Sequence, residues 1–343
     1  MGLNSNVYII AEAGVNHNGK LDLALELIQK AKECGADCVK FQTFKAEQIV
    51  TKDAPKANYQ LLVTNSEESQ YEMLKKLELD FDDYLKLIQK CKELEIDFLS
   101  TPYNKEDVDF LDKLGVSGFK IASGQLTEIP LLKYIAKKGK QIILSTGMAS
   151  LSEVFDSVQA ILDEGNSNIC VLQCTTNYPS RIEDANILAM KSIEFACKID
   201  VGYSDHVSNN YACYSAVALG AKIIEKHFTL DKNFEGPDHT SSLDPKEFKE
   251  LVFGIRQIEM SLGNGVKIPS REEIKNSYGM KRSLVALCDL EAGAIIEEKH
   301  IGFKRPANGL HPNNLNLIIG KKLNQGLLKD EAIQNYHIKW DIS

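Results

Sequence analysis

No stretch of this 343-residue chain stays apolar for the roughly 18 to 20 residues that a membrane-crossing helix needs. The opening residues, MGLNSNVYII, lack a basic segment followed by a long apolar core, so no export signal is expected. None of the eight cysteines stands in CxxC spacing, and most fall inside apolar runs. Cys170 and Cys174, on one such run, read as buried thiols, and a reducing cytoplasm is the expected compartment. Positive charge is also scarce. Lysine and arginine number 40 against 48 acidic residues, a net charge of −8, which argues against a nucleic-acid partner that must grip a phosphate backbone. Low-complexity tracts and internal sequence repeats are missing as well.

What is present is a rhythm. Eight short apolar runs, each ending in polar residues, cover the first three-quarters of the chain. They begin YIIAEAG at Tyr8, CVKFQTF at Cys38, DFLSTPY at Asp97 and GFKIASG at Gly118. QIILSTG at Gln141, ICVLQCTT at Ile169, DVGYSDH at Asp200 and KIIEKHFT at Lys222 follow. Amphipathic helical stretches separate them, and strand–helix alternation predicts a parallel α/β sheet. Eight such units suffice for a closed (β/α)8 TIM barrel, whose chemistry gathers at the C-terminal ends of the strands.

The helices carry their own punctuation. Apolar residues at helical spacing run from Leu21 to Cys34 before Gly35, and Phe81 to Leu94 repeats the pattern behind Asp82 and Asp83. Asn104 and Ser150 stand where N-caps belong, Ser150 with Glu153 completing a capping box, and Pro245 suits the first turn of a helix running to Leu262. The polar stretch from Lys45 to Met73 reads instead as a long loop, of the kind that walls an active site. These signals divide the chain into a barrel over 1–263, a linker over 264–280 and a small C-terminal domain over 281–343 with short strands at SLVAL and AIIEE. That last piece is small for an independent core and is expected to lean on another surface.

The strand ends assemble a chemical inventory. His206 and His227 close consecutive strands and can face one pocket as half of a divalent-metal site. Thr101, Lys120, Ser123, Ser145, Asn177 and Ser204 supply hydroxyls, an amide and one cation, the composition of a small-anion cradle. A lysine inside the apolar run FKIASG is costly to bury without an anionic partner. Glu12 and Glu225 are candidates for a base, for support of a histidine, or for ion pairs with Lys40 or Lys226. His300, His311 and His337, outside the barrel, read as surface residues.

The motifs IIAEAGVNHNG, VKFQTFKA, FLSTPY, KIASG, ILSTGMA, CTTNYP, VGYSDH, IEKHFTLDK with GPDH, and KRPANG occur in this order. Together they resemble the bacterial nonulosonic acid synthases, typified by N-acetylneuraminate (sialic acid) synthase, from about Val7 to the end of the chain. The resemblance implies a TIM barrel followed by an antifreeze-like domain, and a domain-swapped homodimer in which each small domain caps its partner's barrel. It implies a transferase that condenses phosphoenolpyruvate with an N-acetylated mannose-type sugar, releases phosphate, and needs a divalent ion, Mn2+ foremost, with Mg2+ or Co2+ as alternatives. Carried over residue by residue, it makes His206 and His227 the metal ligands, and Lys120, Thr101, Ser123, Ser145, Asn177 and Ser204 the phosphoenolpyruvate cradle. It makes Gln42, Tyr178 and Asp238 sugar contacts and sends Arg305, in the KRP motif, across the dimer to the N-acetyl group.

The chemistry expected of such a site is an attack of phosphoenolpyruvate C3 on the open-chain aldehyde, with the ion as Lewis acid, followed by water at C2 and C–O cleavage. Glu12 is the first candidate to deprotonate that water and Glu225 the second. One departure bears on substrate: relatives carry Ser-Gly-Glu where this chain has Ser123-Gly124-Gln125. The expected sugar is N-acetylmannosamine, giving N-acetylneuraminate; Gln125 would present it an amide, so the alternative is 2,4-diacetamido-2,4,6-trideoxymannose, giving N,N'-diacetyllegionaminate. A barrel acting on phosphorylated sugars would want a further basic cluster, and a non-catalytic sugar-binding barrel would lack the cradle.

Overall fold

The computed structural model describes residues 6–65 and 67–340. It divides into two compact units, one ending at Gly263 and the other beginning at Asn264. In the first, β1 (Tyr8–Gly14), β2 (Cys38–Thr43), β3 (Asp97–Pro102) and β4 (Gly118–Ile121) are followed by β5 (Gln141–Ser145), β6 (Ile169–Cys174), β7 (Asp200–Asp205) and β8 (Ile223–His227). Their order is β3-β2-β1-β8-β7-β6-β5-β4, every pair parallel, so β1 bonds to β8 and the sheet curls into a barrel. β3 and β4 lie side by side at the seam.

Strand periodicity of two explains both the core and the site. On β1 and β2, Ile9, Ala11, Val39 and Phe41 point outward and pack with the helices in one large cluster. The alternate residues Ile10 and Cys38 point inward, where with Leu99, Ile143, Cys170, Leu172 and Ile223 they plug the lumen with apolar side chains. The next inward step on the same strands brings Glu12, Lys40, Thr101, Ser145, Cys174 and Glu225. The polar set therefore stands directly on the apolar plug.

The surrounding helices end where the sequence signals place them. Leu21–Glu33 stops before Gly35 at φ +89°, and Phe81–Glu93 has Asp82 and Asp83 in its first turn. Asn104 Oδ1 accepts the Asp107 N–H at 2.8 Å, and Ser150 and Glu153 cap reciprocally. The stretch after β2 departs from the loop expectation. It holds three short helices, Ala46–Ile49, Asn58–Val63 and Gln70–Lys75, each too short to show a periodic pattern in sequence. Lys56 ties two of them together, its buried ammonium bonding Thr64 Oγ1, the Asn65 carbonyl and Glu68.

In the second unit, the segment expected as a polar linker contains a helix over Arg271–Met280, capped by Ser270 and Glu273. An antiparallel pair follows, β9 (Ser283–Ala286) and β10 (Ile301–Lys304). The AIIEE segment expected as a strand contributes only an isolated bridge at Ile295. The unit has its own apolar cluster around Leu284, Ile296, Ile318 and Ile333. His337 is buried rather than on the surface, its Nδ1 accepting the Gln334 N–H.

Candidate active site

A cavity of about 280 Å³ opens at the C-terminal ends of the strands. Twelve of the expected site residues line it: Glu12, Gln42, Thr101, Lys120, Ser123, Ser145, Tyr178, Ser204, His206, Glu225, His227 and Asp238. Three stand apart. Asn177 is exposed, its amide turned to the Pro179 carbonyl of its own loop, and it does not line the cavity. Gln125 also lies outside the lining, because its amide stitches the barrel seam. Its Nε2 donates to the Pro102 carbonyl at the end of β3, and its Oε1 accepts the Ala122 N–H just past β4. Arg305 belongs to the second unit, exposed just after β10.

The floor of the cavity is a chain of alternating charges. Lys40 Nζ lies 2.6 Å from Glu12 Oε2 and 3.9 Å from Glu225 Oε2, and Lys120 Nζ lies 3.3 Å from Glu225 Oε1. Ser204 donates to Glu225 Oε1 at 2.9 Å, and Lys40 donates to Thr101 Oγ1 at 3.3 Å. All four charged groups are nearly inaccessible, and bringing each ion out of water costs several kcal/mol, which the opposite charges beside it offset. The two carboxylates differ. Burial pushes Glu12 up to about 7, Lys40 opposing and the charge of Glu225 adding to it. Burial raises Glu225 too, but Lys120, Lys40 and the Ser204 hydroxyl outweigh it and hold the carboxyl below its ordinary range. One acid poised near neutrality beside one fixed anion is the arrangement that divides acid–base work between two carboxyls.

His206 and His227 stand 5.2 Å apart between ring centroids, with the Tyr178 ring 4.0 Å from His206. His206 Nδ1 lies 2.7 Å from the Thr175 carbonyl, so Nδ1–H donates there and the Nε2 lone pair is free. His227 Nδ1 is buried with no hydrogen-bond partner, and Asp238 Oδ2 is 3.7 Å away. Burial drives His227 well below its ordinary value, with His206 and Lys40 adding, so it is a neutral imidazole. Two nitrogen donors from adjacent strands, one of them orphaned, fit a borderline divalent ion. Among the described residues no three His, Cys, Asp or Glu side chains gather around one point, so the remaining ligands would be oxygens from outside the chain.

The sequence reading passed over other lining residues. Lys40 was visible only as an ion-pair partner. Cys174 reaches the cavity with Sγ 3.9 Å from His206 Nδ1. Tyr59, Gln60, Gln70, Met73, Leu74 and Leu77 come from the helical stretch after β2, whose length was the sole signal.

A model of the NeuB family matches residues 27–267, and one of the SAF domain matches 281–339. The chain belongs to the NeuB family. It is 48% identical to a N,N'-diacetyllegionaminic acid synthase of Campylobacter jejuni over 95% of this chain and 98% of that protein. A Legionella pneumophila protein of the same name is 43% identical over 98% of this chain and 96% of its own length. Among solved structures, an N-acetylneuraminic acid synthetase from Leptospira borgpetersenii, in complex with citrate, superposes with a TM-score of 0.71 at 34% identity, covering 80% of this chain and 91% of that one. This NeuB-family chain is thus a nonulosonic acid synthase built on a TIM-like barrel, with a SAF domain behind it. No described helix is long and apolar enough to cross a membrane.

Proposed function

We propose that this NeuB-family enzyme condenses phosphoenolpyruvate with 2,4-diacetamido-2,4,6-trideoxymannose, giving N,N'-diacetyllegionaminate and phosphate. The observation that carries the reaction is the buried Glu12–Lys40–Glu225–Lys120 chain beside two histidines with free ring nitrogens. Lys120 and Lys40, with Thr101, Ser123, Ser145 and Ser204, offer two cations and four hydroxyls to a carboxylate and a phosphate. The Gly147 N–H donates to Ser123 Oγ and fixes that hydroxyl. Gly147 leaves no room for a side chain here, since a Cβ would sit 2.0 Å from Thr176 Oγ1.

A divalent ion held by His206 and His227 would supply Lewis acidity for the aldehyde. The chain's own residues do the rest. Gln42, held by Tyr103 and Glu12, and Asp238 border the space where the sugar would lie. Holding C3 of phosphoenolpyruvate against the aldehyde carbon replaces an encounter between two dilute reactants. Glu12, titrating near 7, takes a proton from the water that adds to C2, while the ionised Glu225 keeps Lys120 charged for the departing phosphate. N-acetylmannosamine is the second reading, favoured by the 34% identity to the Leptospira sialic acid synthetase. The sugar assignment rests on the two legionaminic acid synthases, not on Gln125, which is committed to the seam.

Phosphate release with phosphoenolpyruvate and Mn2+, measured in parallel for the two sugars, tests the proposal. A kcat/KM at least about tenfold higher for the diacetamido sugar, about 1.4 kcal/mol of discrimination, supports it. The reverse order makes this a sialic acid synthase, and silence with both sugars overturns the reaction itself.

A further inference from the structure

The cavity has two unlike walls. Its barrel side is charged and hydroxylated. The same cavity is lined by Val15 after β1 and by Ile49, Met73, Leu74 and Leu77 from the stretch after β2, which form an apolar wall. Val15, Met73 and Leu77 are buried in one cluster, with Ile49 and Leu74 packed against it. None of these side chains offers a hydrogen bond beyond the weak sulfur of methionine. The two amides of this stretch that line the cavity bond to each other: Gln60 Oε1 accepts Gln70 Nε2 at 3.3 Å, and the Ala57 N–H at 3.0 Å.

An open-chain aldose whose C1 meets phosphoenolpyruvate at the charged wall carries its last carbon, five bonds on, away from that wall. We propose that the apolar wall reads C6 of the sugar, accepting a methyl and discriminating against a hydroxymethyl, with Met73 and Leu74 as specificity-determining residues. The inference rests on the condensation reading above and adds to it the residues that select a 6-deoxy substrate. A C6 hydroxyl placed there gives up its water and finds no partner, whereas a methyl loses nothing on leaving water. Such a pocket cannot reject the added hydroxyl absolutely. Discrimination of about 10- to 100-fold is the range expected of an apolar site facing a hydroxylated near-isostere.

The test uses the full-length protein, phosphoenolpyruvate, Mn2+ and two sugars that differ only at C6: 2,4-diacetamido-2,4,6-trideoxymannose and its 6-hydroxy counterpart. Wild-type kcat/KM is expected to favour the 6-deoxy sugar by about 10- to 100-fold. Met73→Gln supplies a partner for the hydroxyl and is expected to shrink that ratio about tenfold, mainly through a lower KM for the 6-hydroxy sugar. Because Met73 is buried, the half-buried Leu74→Gln is the companion variant. Equal kcat/KM for the two sugars in the wild type overturns the inference and leaves the reaction standing. Variants that slow both sugars equally also overturn it, since the wall would then merely support its segment. No phosphate from either sugar overturns the condensation reading first.

Discussion

Strand β8 contributes to two buried ion pairs, one on each of its faces, and the two are built differently. On the outer face Lys226 and Asp205 are fully inaccessible, 2.6 Å apart, and completely bonded. Lys226 also donates to the Val207 and Asn209 carbonyls, while Asp205 accepts from the Tyr203 hydroxyl, the Val207 N–H and the Cys213 thiol. On the inner face, one residue away, Glu225 holds Lys120 at 3.3 Å, but its Oε2 has no hydrogen bond. Neighbouring Ser145 Oγ, Thr176 Oγ1 and His227 Nδ1 are equally without partners. Buried polar atoms in stable proteins are nearly always paired, so a concentration of unpaired ones marks a candidate binding site. The satisfied pair is closed off within the fold, and the unsatisfied one borders the cavity.

Breaking each pair should separate these roles. Lys226→Met leaves Asp205 charged and dry, and a loss of about 3–5 kcal/mol in urea unfolding is expected. A loss below about 1 kcal/mol would erase the contrast. Lys120→Met should do the converse. Its expected effect is a fall of about 10²- to 10³-fold in kcat/KM, with stability changed by about 1 kcal/mol or less, because Ser204 and Lys40 still attend Glu225 and cavity water can reach it. Glu12→Gln sharpens the difference between the two inner carboxylates. A base works only when deprotonated, so wild-type activity should rise with pH through about 7. The variant should lose about 10²-fold in kcat and also lose that limb. A limb that survives Glu12→Gln would hand the role to another group.

The sequence exposes the barrel well because both faces of its strands are buried, which leaves eight apolar runs and eight polar ends. It does not expose direction. Glu225 and Lys226 are neighbours in sequence, and only the pleat sends one to the cavity and the other to Asp205. The possible Glu225–Lys226 pair therefore does not form, while Glu12–Lys40 does. Gln125 and Asn177 lie outside the cavity lining for a related reason. Both follow strand ends, where the chain turns, and Gln125 is claimed by a seam that no local pattern announces. The apolar wall was legible only as an unusually long connection, since its three helices are four to six residues each.

The first motif loop supplies a third kind of buried polar group, neutral by construction. His17 is buried, and its Nδ1 accepts the Gly19 N–H at 3.0 Å, a bond that a protonated nitrogen could not make. Beside it, His239 bridges Thr229 Oγ1 and Asn18 Oδ1, and Asn18 Nδ2 donates to the Glu235 carbonyl, tying this loop to the one that carries Asp238. Burial lowers His17 to about 4, with the Gly14 backbone opposing and His239 adding. Its folded value is thus depressed below the ordinary 6.5, so the unfolded chain binds more protons between these limits. Its contribution to stability is complete above pH 6.5, is lost progressively as the pH falls below that, and is gone below about 4. By pH 5 this one group should remove about 2 kcal/mol, seen as a lower urea midpoint than at pH 7.5. His17→Gln should flatten that difference while costing stability at pH 7.5. If the difference persisted unchanged in the variant, the acid sensitivity would belong to another group, and the latch between the two loops would not depend on a neutral His17.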